Sequence, residues 1–187
     1  MEILYYMKKH TYNIRHLCLI SLFSALIVIM AQISIPMPIG VPITMQTFAV
    51  TIAGIILGSK KGFTATLIYI LLGAIGLPVF ANFTGGWQSI TGPTSGFILS
   101  FPLMAYIIGL GTEHRQKFRF CYSLGIALGT ILNMLCGILM FCLVTQSPLA
   151  VGFATCGLPY IPVTVIKAIA AAISGIRIRK RCYQFLQ

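Results

Sequence analysis

Long apolar runs separated by two alternating kinds of connection set the pattern of this chain. Leu17 to about Ile35 is the first run, with Ser21, Ser24 and Ala25 set among larger apolar side chains. Ile35 to Ile43 then carries three Pro and one Gly, which exclude helix there. A second run covers Gln46 to Leu57 and stops at Gly58; a third covers Phe63 to Gly76, with Pro78 as its stop. Leu77 to Thr94 is a long uncharged connection that holds Phe80, Asn82, Phe83, Gly85-Gly86 and Trp87, and loops of that kind are usually functional. Thr94 or Ser95 is placed to cap a fourth helix that ends near Gly109 or Gly111. The fifth run, Phe120 to Val144, is the longest, and the sixth begins at about Leu158 with Pro162 suited to a first turn.

Charge converts these runs into a topology. Hydrophobic residues make up 58% of the chain and charged residues 8%, against about 25% charged in soluble proteins. Basic residues gather before the first run (Lys8, Lys9, Arg15), after the second (Lys60, Lys61), after the fourth (Arg115, Lys117, Arg119) and after the sixth (Arg177, Arg179, Lys180, Arg181). The other three connections carry no charge. That alternation predicts an all-α membrane protein with six transmembrane helices, both termini and the basic loops being cytoplasmic. It divides the chain into a tail over residues 1–16, a membrane domain over 17–176 and a basic tail over 177–187. Second, third and sixth runs fall short of the usual ~20 residues, so they extend into ordered loops or meet a thinned bilayer. The net charge of +11 belongs beside anionic lipid and not on nucleic acid, because it sits in short clusters between apolar runs. The first run lacks a small-residue cleavage site and is followed by comparable segments, so it is a span and not a signal peptide.

Acidic residues decide what chemistry is excluded. There is no Asp, and the two Glu are Glu2 and Glu113; His10, His16 and His114 also fall in tails or loops. Metal sites, proton relays and general acid–base catalysis need such groups inside the fold, so no enzyme, metal or cofactor is predicted. The six Cys show no paired spacing and read as small apolar filler.

Lys167 is the one cation inside an apolar run, where an ammonium costs roughly 2.5–3.5 kcal/mol on insertion scales and marks a site by default. Tyr160, Thr164 and Lys167 share a helix face, with Lys167 about six residues, or ~9 Å, from the outer end. An anionic ligand would pair with the ammonium while the two hydroxyls add directional bonds. Snorkelling to the outer interface is the competing reading. Asn82 and Gln46 are candidate neutral partners for a ligand head group, or else helix-capping and packing residues. Phe83, Trp87, Phe80 and Tyr160 could wall an apolar pocket, although an interfacial aromatic belt uses the same residues. Ser21 and Ala25 form a small-xxx-small pattern that permits close helix contact.

Several segments resemble the BioY family, the biotin-binding S components of energy-coupling factor transporters. They are Ile35-Pro36-Met37-Pro38 through Thr44, Gln46 and Phe48; Leu72-Gly73 through Pro78 and Phe80; Thr84-Gly85-Gly86; Gly92-Pro93-Thr94-Ser95-Gly96; and Pro159 through Lys167. The resemblance covers about Leu17 to Gly175. It implies six helices, an outward-facing biotin pocket closed by the first loop, and no ATPase in this chain. It also implies docking on a transmembrane T component that works with two ATPase subunits, through the Ser21 and Ala25 face. Where the family often has Asp, three residues before the lysine, this chain has Thr164. Rival expectations are an S component for another vitamin and a self-sufficient oligomeric carrier.

Overall fold

The computed structural model describes residues 2–37, 41–116 and 119–186. Six principal helices follow in order: α1 (Glu2–Gln32), α2 (Gln46–Leu57), α3 (Ser59–Ala74), α4 (Ser95–Glu113), α5 (Arg119–Thr145) and α6 (Tyr160–Leu186). Four contain segments long and apolar enough to cross a membrane: Ile14–Gln32, Ser95–Glu113, Phe120–Thr145 and Tyr160–Arg181. α1 starts well before Leu17 and α6 runs on through Arg177–Arg181, because neither segment contains a Gly or Pro to end the helix. The charge-free first connection is not wholly irregular, and the fold is not purely helical. Ser34–Ile35 (β1) pairs antiparallel with Ile43–Thr44 (β2), with Ser34 opposite Thr44 and Ile35 opposite Ile43. Pro38 and Gly40 of that loop, and Lys117 of the basic loop, lie outside the described residues.

α2 is the centre of the packing, walled by α1, α3, α4 and α6. All of it but Thr47 and Phe48 is buried, as expected for a helix that is apolar all round. This explains its shortness in physical terms: its surroundings are protein. Gly58 turns the chain from α2 into α3 at φ 83°, a left-handed conformation that suits glycine. The carboxylate of Glu113, at the end of α4, accepts the Ser59 N–H at 2.7 Å and the Ser59 hydroxyl at 3.0 Å. A negative group at a helix N-terminus also favours the macrodipole of α3. One of the chain's two acids is thereby committed to joining three helices.

α4 and α5 approach closely, since a Cβ at Gly125 would lie 2.9 Å from the Gly111 Cα. The main core gathers Ile27, Ile55, Tyr69, Phe80, Phe101, Met104 and Ile108. A smaller one joins Val41, Ile138, Phe141, Cys142 and Cys156, with Phe97, Met134 and Tyr160 packed against it. The ends of α2 and α4 remote from Glu113 open toward the junction of these two cores.

Candidate functional site

At that junction lies a cavity of about 280 Å³, near the lower end of the roughly 300–1,000 Å³ typical of small-molecule pockets. Phe80, Ile98 and Phe101 face it from the main core, and Val41, Phe97, Met134 and Tyr160 from the smaller one. Val41 to Thr44 supply its roof, and Thr164 and Lys167 of α6 supply one wall.

The ammonium of Lys167 donates to the Thr44 carbonyl at 2.8 Å and to the Thr47 hydroxyl at 3.2 Å. Both acceptors are uncharged. Three N–H groups are available on an ammonium, so one has no protein acceptor among the described residues. Glu113 is spent at the opposite end of α2 and α4, and among the described residues no carboxylate pairs with this charge. One turn earlier, Thr164 lines the cavity, and its hydroxyl makes no hydrogen bond to the described residues. The Tyr160 hydroxyl donates to the Val41 carbonyl, so α6 grips the roof at Val41 and at Thr44.

Gln46 lines the floor but is largely committed: its carbonyl accepts from the Thr44 hydroxyl at 2.9 Å and its amide donates to the Tyr69 hydroxyl at 2.5 Å. Asn82 reaches the rim, where its Oδ1 accepts the Ser34 hydroxyl at 2.6 Å and ties the roof to the long connection. Asn82 and Phe83 both take left-handed backbone angles, with φ of 57° and 56°. The adjacent Phe80–Thr84 bridge closes this tight turn. As a result the Phe83 side chain turns outward, 71% exposed, and Trp87 is 70% exposed at the start of the short helix Trp87–Thr91. Neither lines the cavity; the aromatic walls are Phe80, Phe97, Phe101 and Tyr160, and the short helix contributes Gln88 and Ser89 instead.

Two residues that the pattern reading passed over stand out. Gln32, at the end of α1, accepts the Phe83 N–H at 3.0 Å and donates to the Phe80 carbonyl at 3.1 Å, fixing the turn that carries Asn82. Asn133 on α5 is 4% exposed, lines the cavity, and donates to the Phe97 carbonyl at 2.9 Å and the Ser100 hydroxyl at 2.8 Å. A lone Asn in the middle of the longest apolar run was the available signal, by the same cost argument that singled out Lys167.

The BioY family model matches residues 7–184. The chain belongs to the BioY family. It is 40% identical over 168 residues to a protein of Thermotoga maritima described as biotin transporter BioY, covering 89% of this chain and 96% of that one. It is 41% identical over 172 residues to a probable biotin transporter BioY of Pyrococcus horikoshii, covering 88% and 96%. Among solved structures it is similar to the S-component for biotin from an ECF-type ABC transporter. That likeness has a TM-score of 0.82 at 27% identity and covers 90% of this chain and 92% of that chain. The small-residue pattern of α1 points outward: Ser21 and Ala25 are exposed, whereas Ser24 turns inward and donates to the Ala65 carbonyl at 2.8 Å.

Proposed function

We propose that this chain captures biotin from outside the cell as the substrate-binding S component of an ATP-driven vitamin transporter. The observation that carries the reading is the ammonium of Lys167, with only neutral partners among the described residues, in the wall of a mostly apolar cavity of vitamin size. The biotin carboxylate supplies the missing counter-charge, and the Thr164 hydroxyl adds a bond beside it. Asn82 at the rim and Gln46 on the floor are the neutral partners of the head group, and Tyr160 holds the roof over it, while the fused ring lies among Phe80, Phe97 and Phe101. Phe83 and Trp87 act outside the cavity, at the entrance. Supporting this are the family membership and the names its relatives carry.

In this reading α2 and α3 join the four longer helices to make six spans in the bacterial cytoplasmic membrane, with both termini and the basic loops cytoplasmic. A transmembrane T component docks on the Ser21 and Ala25 face, and two ATPase subunits supply the energy. Titration of the purified protein with biotin tests the site. An ammonium–carboxylate interaction of about 1.5–3 kcal/mol predicts that Lys167→Ala weakens binding by roughly 10- to 150-fold. Unchanged affinity in that variant removes Lys167 as the anchor. Tighter binding of thiamine or riboflavin than biotin ends the biotin reading altogether.

A further inference from the structure

Asn133 is the polar group of the cavity whose orientation its neighbours dictate most fully. The Phe97 carbonyl can only accept, and the Ser100 hydroxyl already donates to that same carbonyl at 3.1 Å. Both therefore require a donor from Asn133, and they take the two N–H bonds of its amide, at 2.9 and 2.8 Å. A flipped amide would set two acceptors against each other, so the polarity is fixed. Its Oδ1 is consequently a pure acceptor. Among the described residues no donor reaches that oxygen, yet it is not one of the occluded polar atoms, of which Ser95 Oγ is the sole case. An amide that is 96% buried by its residue and leaves only its carbonyl oxygen open, in a residue that lines the cavity, presents that oxygen to whatever occupies it.

We infer that Asn133 is a specificity-determining residue that accepts a hydrogen bond from an N–H of the bound molecule. The inference rests on the biotin reading above, in which the N–H belongs to the ureido ring. Lys167 and Asn133 then read opposite chemistries from different walls, an anion by a cation on α6 and a neutral donor by a neutral acceptor on α5. A site with a fixed acceptor rejects ligands that offer only an acceptor or a methyl group at that point, because the Asn133 amide cannot rotate to suit them.

The test is calorimetric titration of the purified full-length protein, free of biotin, with four ligands: biotin, its two singly N-methylated ureido analogues, and biotin methyl ester. The parent protein is expected to bind one methylated analogue roughly 10- to 100-fold more weakly than biotin. In Asn133→Ala that ratio should fall toward one, through loss of biotin affinity, while the ratio of biotin to its methyl ester stays as in the parent. A merely structural Asn133 would lower affinity for all four ligands together, and that outcome overturns the inference. So does a variant that keeps the parent's discrimination between biotin and both methylated analogues. Should the variant fail to fold, the parent decides: equal affinity for biotin and both methylated analogues overturns the assignment of Asn133 while leaving biotin capture intact. No binding of biotin by the parent overturns both.

Discussion

Gln32 shows how much a single side chain outside the cavity can control. Its amide clamps a turn in which two successive residues, Asn82 and Phe83, hold left-handed angles that cost of order 1–3 kcal/mol each. Asn tolerates that conformation better than Phe does, and the two Gln32 bonds, about 0.5–1.5 kcal/mol apiece, offset part of the strain. Replacing Gln32 by Leu removes both bonds and leaves the Phe83 N–H and Phe80 carbonyl without their partner. The expected result is a loss of about 1–3 kcal/mol in thermal or denaturant stability, with a weaker biotin affinity because Asn82 drifts from Ser34. Equal stability in the variant would show that the turn holds itself. Lys167 was legible in the sequence because a charge in an apolar run is conspicuous at any position. Gln32 and Asn133 were harder to read, since a neutral amide at a helix end or inside a span has many packing uses. Phe83 and Trp87 were read as pocket wall or interfacial belt from their aromatic character in a long uncharged connection, whereas the direction of a side chain depends on the backbone angles of the turn beneath it.

Between elements, the decisive contacts are those by which α6 holds the β1–β2 roof. Two groups on one helix face, Tyr160 and Lys167, grip backbone carbonyls only three residues apart, at Val41 and Thr44. In the proposed reading Lys167 also meets the ligand carboxylate, so Tyr160 is the cleaner probe of the roof. Tyr160→Phe deletes one neutral hydrogen bond of about 0.5–1.5 kcal/mol and keeps the ring against the smaller core. Biotin should dissociate roughly 2- to 12-fold faster, with the association rate much less affected, in stopped-flow exchange against excess unlabelled ligand. An unchanged dissociation rate would mean that the roof is held by Lys167 and Asn82 without Tyr160. The existence and order of the helices were readable from apolar runs and their Gly and Pro stops, and the bounds of α2 fell where Gln46 and Gly58 put them. The β1–β2 pair was not readable, because two-residue strands have no periodicity and their pairing depends on what lies beneath. Helix continuity was also missed through both basic tails and through Lys60 and Lys61, which open α3, for a hydropathy boundary marks where a helix leaves lipid and not where it ends.

Over the whole molecule, burial is distributed unevenly, and the exposed faces carry different chemistry. Only 11% of the apolar window of α6 is buried, and its outward side chains, including Ile166, Ile169 and Ile173, are bulky and β-branched. α1 is 28% buried over its window and sets Ser21 and Ala25 among exposed Leu17, Leu22 and Ile29. Lipid accepts either texture, but a second helix can approach closely only over the small residues. If the α1 face meets the T component, a large side chain there should separate capture from transport. Ala25→Trp is expected to leave biotin binding by the isolated protein unchanged, since the residue faces away from both cores. Overpacking of about 1–3 kcal/mol at the contact should weaken assembly, and biotin uptake by cells, by roughly 5- to 150-fold. Ile173→Trp, on the exposed side of α6, places the same indole on a face already covered by bulky side chains and should alter neither binding nor uptake. Normal uptake in the Ala25 variant would show that this face of α1 is turned to lipid, and equal losses in both variants would point to a membrane-insertion defect and not to a docking surface.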